Sequence, residues 1–436
     1  MRNFLMISPY YPPMNFVGAK RALTLSRHLP AHGWRPAVVA LPEHLERDAD
    51  LVPLVPDVPI DRGYRSGPLA WMADVVDRLT PVRPVGDSRA ATTGPTPDGL
   101  WPRLRRELRG LPLDKHAKFL PWAFARAARF ARRHDCRLIH VNAGPFSAMY
   151  LGTALSHLTG LPLVVDLRDP WAVDPLYSEA WTAAGKAMAN TLESLAFHRA
   201  RRVVLNSASS LALYREAYAG RLPPEHFAMI RNHYDPDLYD AAPPAPGPDG
   251  PFRIVFYGHL TPLRDGRLFF EAYRRFVDHA RLAPGDTELV TLGEVTPADR
   301  EAIDALCLRP YVSAHDWVPF TRSRALLGRA DLLLDLTGPR HHLRIAGKLY
   351  DYMAARRPVL TVSANPELQA IHAETRLGRC VGHDVDAIAA ALSDFHDAKR
   401  RGVPFQPDDV ALARYAAAPA ARAMAGIFDA ATRGAP

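Results

Sequence analysis

The chain has little cysteine and no long apolar run, and each shortage removes a class of protein. Its three cysteines, Cys136, Cys307 and Cys380, lie far apart with no paired metal spacing. That argues against a disulfide framework and points to a reducing compartment. The apolar stretch at residues 4–8 is ended by Pro9, Pro12 and Pro13. It is too short for the core of a secretory leader, and no window is long enough to span a bilayer. A cytoplasmic location is expected, with the inner face of a membrane left open. The six-residue glycine fingerprint is missing, which argues against dinucleotide oxidoreduction. Zinc-finger spacing and RNA-binding signatures are also absent, so nucleic acid is not an expected partner.

What is present bounds the architecture. A length of 436 residues exceeds one typical core and predicts two domains. With 48% hydrophobic and 23% charged residues, the composition is that of a soluble globular protein rather than a disordered one. The net charge of +8 comes mostly from arginine. Clusters at 103–109 and 126–133 carry apolar residues at helical spacing, so their arginines form either a solvated face or a peripheral contact with anionic lipid.

Short apolar runs alternate with helical patterns along the chain. Strands are expected at 4–8, 37–41, 138–141, 163–167 and 202–205, with helices at 19–29, 121–133 and 146–158. Residues 42–120 carry weaker signals, and 88–99 read as a loop. Residues 241–251 are so rich in proline that no helix or central strand can hold them, so they are expected to be a linker. A second series follows, with strands at 253–257, 287–292, 332–336 and 359–362 and a helix at 267–280. The expectation is α/β: two Rossmann-like, doubly wound parallel-sheet domains, 1–240 and 252–406, facing an interdomain cleft. A helical tail over 407–436 is expected to pack back on the first. Ligands in such sheets bind beyond the carboxyl ends of the strands.

Those ends carry the candidate residues. The segment 347–360 opens a helix near Gly347 and runs through Pro358 into an apolar strand. Lys348 and Asp351, three residues apart, fall on one helix face at the end that attracts anions. A cation for a phosphate beside an acceptor for a ribose hydroxyl suits a nucleotide sugar; a surface ion pair is the plain alternative. Gly18 opens the helix after the first strand, where backbone can approach a phosphate. Asp166, Arg168 and Asp169 crowd one strand end, either as a clasp fixing a loop or as an acceptor site. Gly258, followed by His259 and then Arg264, suits a diphosphate, because arginine presents a fork of donors. His315 and Trp317 end a later strand, and Trp317 is either a flank for a base or a core residue. His140 is either a polar contact near a reacting carbon or a satisfied core histidine. The aspartates at 48–50, 235–237 and 384–386 share no common context, and no metal is expected from them.

Taken in order, residues 8–13 with Gly18 and Arg21, residues 145–147, 166–171, 232–235, 258–264 and 347–358 resemble the GT-B-fold glycosyltransferases of family four over essentially the whole chain. The resemblance implies retaining transfer of a hexose-type sugar from a nucleoside-diphosphate donor, uridine being the default base, to a hydroxyl acceptor. That acceptor would be a surface glycan, a lipid-linked oligosaccharide or a small natural product. The donor would bind mainly to the second domain and the acceptor mainly to the first, with Arg21, Asp166, Arg168 and Asp169 on the acceptor side. Arg264 matches the lysine of the family's pyrophosphate signature, and His259 stands where its arginine usually is. Asp351 aligns with its final glutamate. Leu343 replaces a glutamate that meets donor-sugar hydroxyls, while Arg340, His341, His342 and Arg344 replace its glycine-rich loop. Arg264, Lys348 and His140 are the expected catalytic groups, acting without a metal or resident cofactor. Two other readings remain: a non-catalytic partner or binding protein of the same fold, and a nucleotide-sugar epimerase.

Overall fold

A computed structural model describes residues 1–43, 47–65, 110–179, 181–239, 247–261, 264, 266–316, 318–339 and 343–433. The loop expected at 88–99, the arginine cluster at 103–109, residues 241–246 of the linker, Trp317, Arg340, His341 and His342 lie outside the described residues. The chain divides into two compact units, Met1–Arg231 with Ala418–Pro436, and Asn232–Ala417.

Seven strands build the sheet of the first unit: β1 (Arg2–Ile7), β2 (Trp34–Val39), β3 (Ile60–Asp61), β4 (Cys136–Ala143), β5 (Leu163–Leu167), β6 (Arg202–Leu205) and β7 (Phe227–Met229). Their order is β3-β2-β1-β4-β5-β6-β7, and every pairing is parallel. Alternation along each strand feeds two cores, as a period of two requires. Leu5, Ile7, Ile139, Val141, Val165 and Leu205 face one side. Phe4, Met6, Leu138, Val164 and Val204 face the other, where the terminal helix Ala417–Thr432 adds Met424 and Phe428. The helix is held at its end as well: the Trp34 Nε1–H donates to Asp429 Oδ1 at 3.0 Å.

The second unit repeats the plan with β8 (Phe252–Tyr257), β9 (Thr287–Leu292), β10 (Val312–His315), β11 (Leu332–Leu336), β12 (Val359–Val362) and β13 (Gly378–Val381), in the all-parallel order β10-β9-β8-β11-β12-β13. Leu332, Leu334, Leu336 and Leu360 enter one core. Leu333 and Val359 enter the other, with Leu349, Tyr352 and Met353 of the helix Lys348–Ala355. In both sheets the order reverses once, between β1 and β4 and between β8 and β11. The carboxyl ends of those strands are the crevices where such sheets take ligands.

The unit boundary differs from the one expected at the proline-rich segment. Residues 232–239 already belong to the second unit: the Tyr234 N–H donates to Tyr415 O at 3.1 Å, and the Tyr239 hydroxyl to Asp351 Oδ1 at 2.5 Å. Proline reports where regular structure is impossible, not where packing changes hands. The tail is likewise split, since Leu412 and Tyr415 join the second unit's core and only residues from Ala418 onward join the first unit.

Three residues expected at the ligand are interior. Arg21 of the helix Val17–His28 donates twice to Asp166, Nε to Oδ2 at 2.7 Å and Nη2 to Oδ1 at 3.0 Å, and its remaining donors reach Arg231 O and Ile230 O. Asp166 is fully buried; burial pushes its acidity down, but the Arg21 guanidinium and the adjacent His140 ring hold its pKa well below the usual carboxylate range. His140 is also fully buried, Nε2 3.4 Å from Asp166 and its ring against Phe4 and Phe428. The Arg21 donors and the Asp166 carboxylate are spent on each other and on backbone carbonyls, and His140 is enclosed by Asp166, Phe4 and Phe428, which corrects the catalytic role for His140 and the acceptor role for Arg21 and Asp166. They clasp the helix Val17–His28 to the sheet. Asp166→Asn leaves a buried guanidinium short of its charge partner, so urea denaturation is expected to show a loss of about 3–5 kcal/mol. A change within about 0.5 kcal/mol, as at a surface position, contradicts the clasp.

Candidate active site

The crevice between β8 and β11 starts from two glycines. Gly258, at φ +118°, follows β8, and Gly293, at φ +141°, follows β9. A Cβ on Gly293 would lie 2.6 Å from the Gly258 carbonyl group, so both conformation and space require glycine there. The Gly258 N–H donates to Leu292 O at 2.8 Å, and the Gly293 N–H to His315 O at 2.7 Å. The expected donor contacts His259 and His315 therefore serve this turn with defined atoms. His315 gives its carbonyl, and the exposed His259 ring accepts the Glu294 N–H on Nδ1 at 3.1 Å.

The turn carries Arg264 back over the strand end. Its Nη1 donates to His259 O at 3.0 Å, and its guanidinium carbon lies 6.0 Å from the centre of the Phe256 ring. Lys348, first residue of the helix Lys348–Ala355, brings Nζ to 3.9 Å from the same ring and 3.3 Å from Asp335 Oδ1. The structure thus brings Arg264 and Lys348 together. Burial depresses the Lys348 ammonium to about 7; the Arg264 charge adds to the fall and Asp335 opposes it. Burial also lowers Arg264, again opposed by Asp335.

Asp335 is a residue the sequence reading passed over. It sits in β11 in the run Leu-Leu-Leu-Asp-Leu, the same pattern as the Leu-Val-Val-Asp-Leu run of β5 that holds Asp166. Its side chain is fully buried, yet among the described residues neither carboxylate oxygen accepts a hydrogen bond. The Lys348 pairing is an ion pair at contact distance and nothing more.

Asp351 is buried in the first turns of the same helix but turns to another partner, accepting from Tyr239. Burial, then Asp351, pushes the Tyr239 hydroxyl pKa well up. Tyr352 pins the helix to the sheet, donating to Leu334 O at 2.9 Å and accepting the Tyr257 N–H at 3.0 Å. Arg344 is half-buried just ahead of this helix, beside Leu343.

In the first unit, the crevice between β1 and β4 is lined by Arg168 from the end of β5. Its Nε donates to Ala143 O at 3.2 Å and Nη2 to Gly144 O at 2.9 Å. A Cβ on Gly18 would fall 2.4 Å from Nη1, so Gly18 admits the guanidinium, and Asn142 donates to Gly18 O at 3.0 Å. Gly18 and Arg168 are brought together; Asp169 is half-buried beside them. The loop after Asp169 rests on Glu193, which the sequence did not single out. This buried carboxylate accepts the Ala172 N–H at 3.0 Å and the hydroxyls of Tyr214 at 2.8 Å and Tyr218 at 3.1 Å. Burial raises it to about 7 against the hydrogen bonds that lower it.

Two doubly wound parallel sheets, each with polar side chains at its reversal point, define a GT-B-fold protein. Residues 90–238 match the model of Glycosyltransferase Family 4. No curated protein matches the chain in sequence. Among solved structures, HepE from Anabaena, in complex with UDP and glucose, superposes with TM-score 0.60 at 14% identity, covering 98% of this chain and 100% of that one. Sucrose-phosphate synthase from Thermosynechococcus elongatus gives 0.60 at 16% identity over 98% of both chains. The trehalose 6-phosphate synthase of Burkholderia multivorans gives 0.60 at 13% over the full length of both. The chain is similar to Glycosyltransferase Family 4 in sequence over the matched segment, and to these solved structures in fold over its length.

Glu193 yields a pH prediction. An unfolded chain loses this proton near the ordinary 4.5, whereas the folded chain holds it to about 7. Unfolding in that window releases a proton, so stability falls as pH rises through it. Glu193→Gln is expected to flatten that slope when Tm is followed across the window. A slope equal to that of the wild type contradicts the burial argument.

Proposed function

We propose that the chain is a retaining glycosyltransferase that moves a hexose-type sugar from a nucleoside diphosphate to a hydroxyl acceptor. The observation that carries this reading is the convergence of Arg264 and Lys348 on the Phe256 ring at the reversal point of the second sheet. A buried ammonium and a half-buried guanidinium, with the single carboxylate of Asp335 against the first, leave positive charge in excess at this strand end, and that excess favours an anionic ligand. A diphosphate leaving group supplies that anion, and its charge grows as the sugar departs.

In the proposed step the bond from the anomeric carbon to the diphosphate oxygen breaks and the bond to the acceptor oxygen forms on the same face. The acceptor proton passes to the departing diphosphate. Arg264 and Lys348 stabilise the charge that develops there, already in place at the strand end. No protein nucleophile is needed, and these cations do the work expected of a metal. Asp351 is proposed to hold the ribose in place of the family's glutamate, which requires the ribose to share or displace the Tyr239 hydroxyl. Acceptor contacts are assigned to Arg168 and Asp169. Exposed Arg129, Arg132 and Arg133 on the helix Leu120–Arg133 support an acceptor presented at an anionic surface. No helix among the described residues is long and apolar enough to cross a membrane.

A panel of sugar nucleotides tests this reading by thermal shift and by release of nucleoside diphosphate with and without acceptor. One donor is expected to raise Tm with the logarithm of its concentration. With that donor, Arg264→Ala is expected to lower kcat by about 10²–10³ while weakening donor binding far less. Lost affinity with unchanged kcat, or a change in the sugar that needs no acceptor, contradicts it.

A further inference from the structure

Among the described residues, each unit carries a buried aspartate within a strand of its sheet paired with a cation, and the two pairs are built differently. Asp166 takes two hydrogen bonds from Arg21, whose other donors end on backbone carbonyls. All that charge is spent inside the protein, as a structural pair requires. Asp335 is as deeply buried, but its pair with Lys348 lacks hydrogen-bond geometry, and Lys348 Nζ has no hydrogen-bonded acceptor among the described residues. Nor is there any gain in burying Lys348 beside Arg264, whose charge opposes its own. The arrangement leaves the ammonium's donors uncommitted at the end of the sheet where ligands bind.

We infer that Asp335 is a positioning residue for the diphosphate: it stands behind Lys348, holds the ammonium charged within apolar surroundings, and leaves its N–H donors for the ligand. This rests on the donor-site reading above and adds to it a residue that touches no substrate. β11 supplies the geometry. Asp335 lies in register with Thr361 of β12, on the side of the sheet that the helix Lys348–Ala355 covers, so helix and carboxylate meet at the reversal point.

Three other titratable groups facing this pair are shifted away from neutral pH. Burial lowers His372 to about 4 and raises Cys380 to about 12. Tyr352, buried and beside Asp335, is pushed well above its ordinary value. Arg264 and Asp351 complete the surroundings. Lys348, near 7, is therefore the group whose charge changes across neutral pH.

The test is calorimetric titration of the full chain with UDP, GDP and inorganic pyrophosphate across neutral pH. Wild-type affinity for the diphosphate that binds is expected to fall about tenfold per pH unit above the Lys348 midpoint. Lys348→Arg removes that fall, because a guanidinium stays charged, and this separates Lys348 from the nearby His259. Asp335→Asn moves the midpoint down by about one unit, so affinity above it drops about tenfold further. Should the asparagine variant not fold, Asp335→Ser replaces it with the same expectation. An unchanged midpoint in a folded Asp335 variant, or a uniform loss at every pH, makes Asp335 merely structural and overturns the inference alone. Failure of the wild type to bind any of the three overturns the donor-site reading as well.

Discussion

A lysine ammonium held against an aromatic ring, beside a second cation and a carboxylate that accepts no hydrogen bond from the described residues, is the constraint around which the carboxyl end of the second sheet is organised. Removing an ammonium from water is unfavourable unless something compensates. Here compensation is incomplete: Asp335 offsets part of the burial and Arg264 opposes it, which is the ground for the proposed anion. The glycine turn, the return of Arg264 through His259 O and the anchoring of the helix by Tyr352 all bear on this one spot.

The first unit uses the same scaffold to a different end. Its buried aspartate is saturated by Arg21, and its polar edge lies further out, where Arg168 packs on Gly18 and Gly144. Equal topology therefore does not imply equal chemistry. The difference lies in whether the charged groups at the strand ends have already met their partners.

Much of the fold was legible because strands buried on both faces are mostly apolar. Residues 163–167, 202–205, 287–292, 332–336 and 359–362 read as strands and are strands. Elements with weaker signatures were missed: β3 is too short to show a pattern, and β13 is half-buried and begins with glycine. The pairing of Arg264 with Lys348 could be expected from the order of motifs. Asp335 could not, because a single carboxylate in an apolar run announces burial without saying which cation it meets. His140 carried two readings, a polar contact near a reacting carbon or a core histidine. The strand alone does not say what its histidine ring meets, and the packing of Phe428 over it supports the second reading.

The most direct measurement is a crystal structure of the full chain with the nucleoside diphosphate of its preferred donor. The account predicts diphosphate oxygens about 3 Å from Lys348 Nζ and from the Arg264 guanidinium, with Asp335 still behind the lysine. A diphosphate bound elsewhere, with Lys348 engaged only by Asp335, would contradict it.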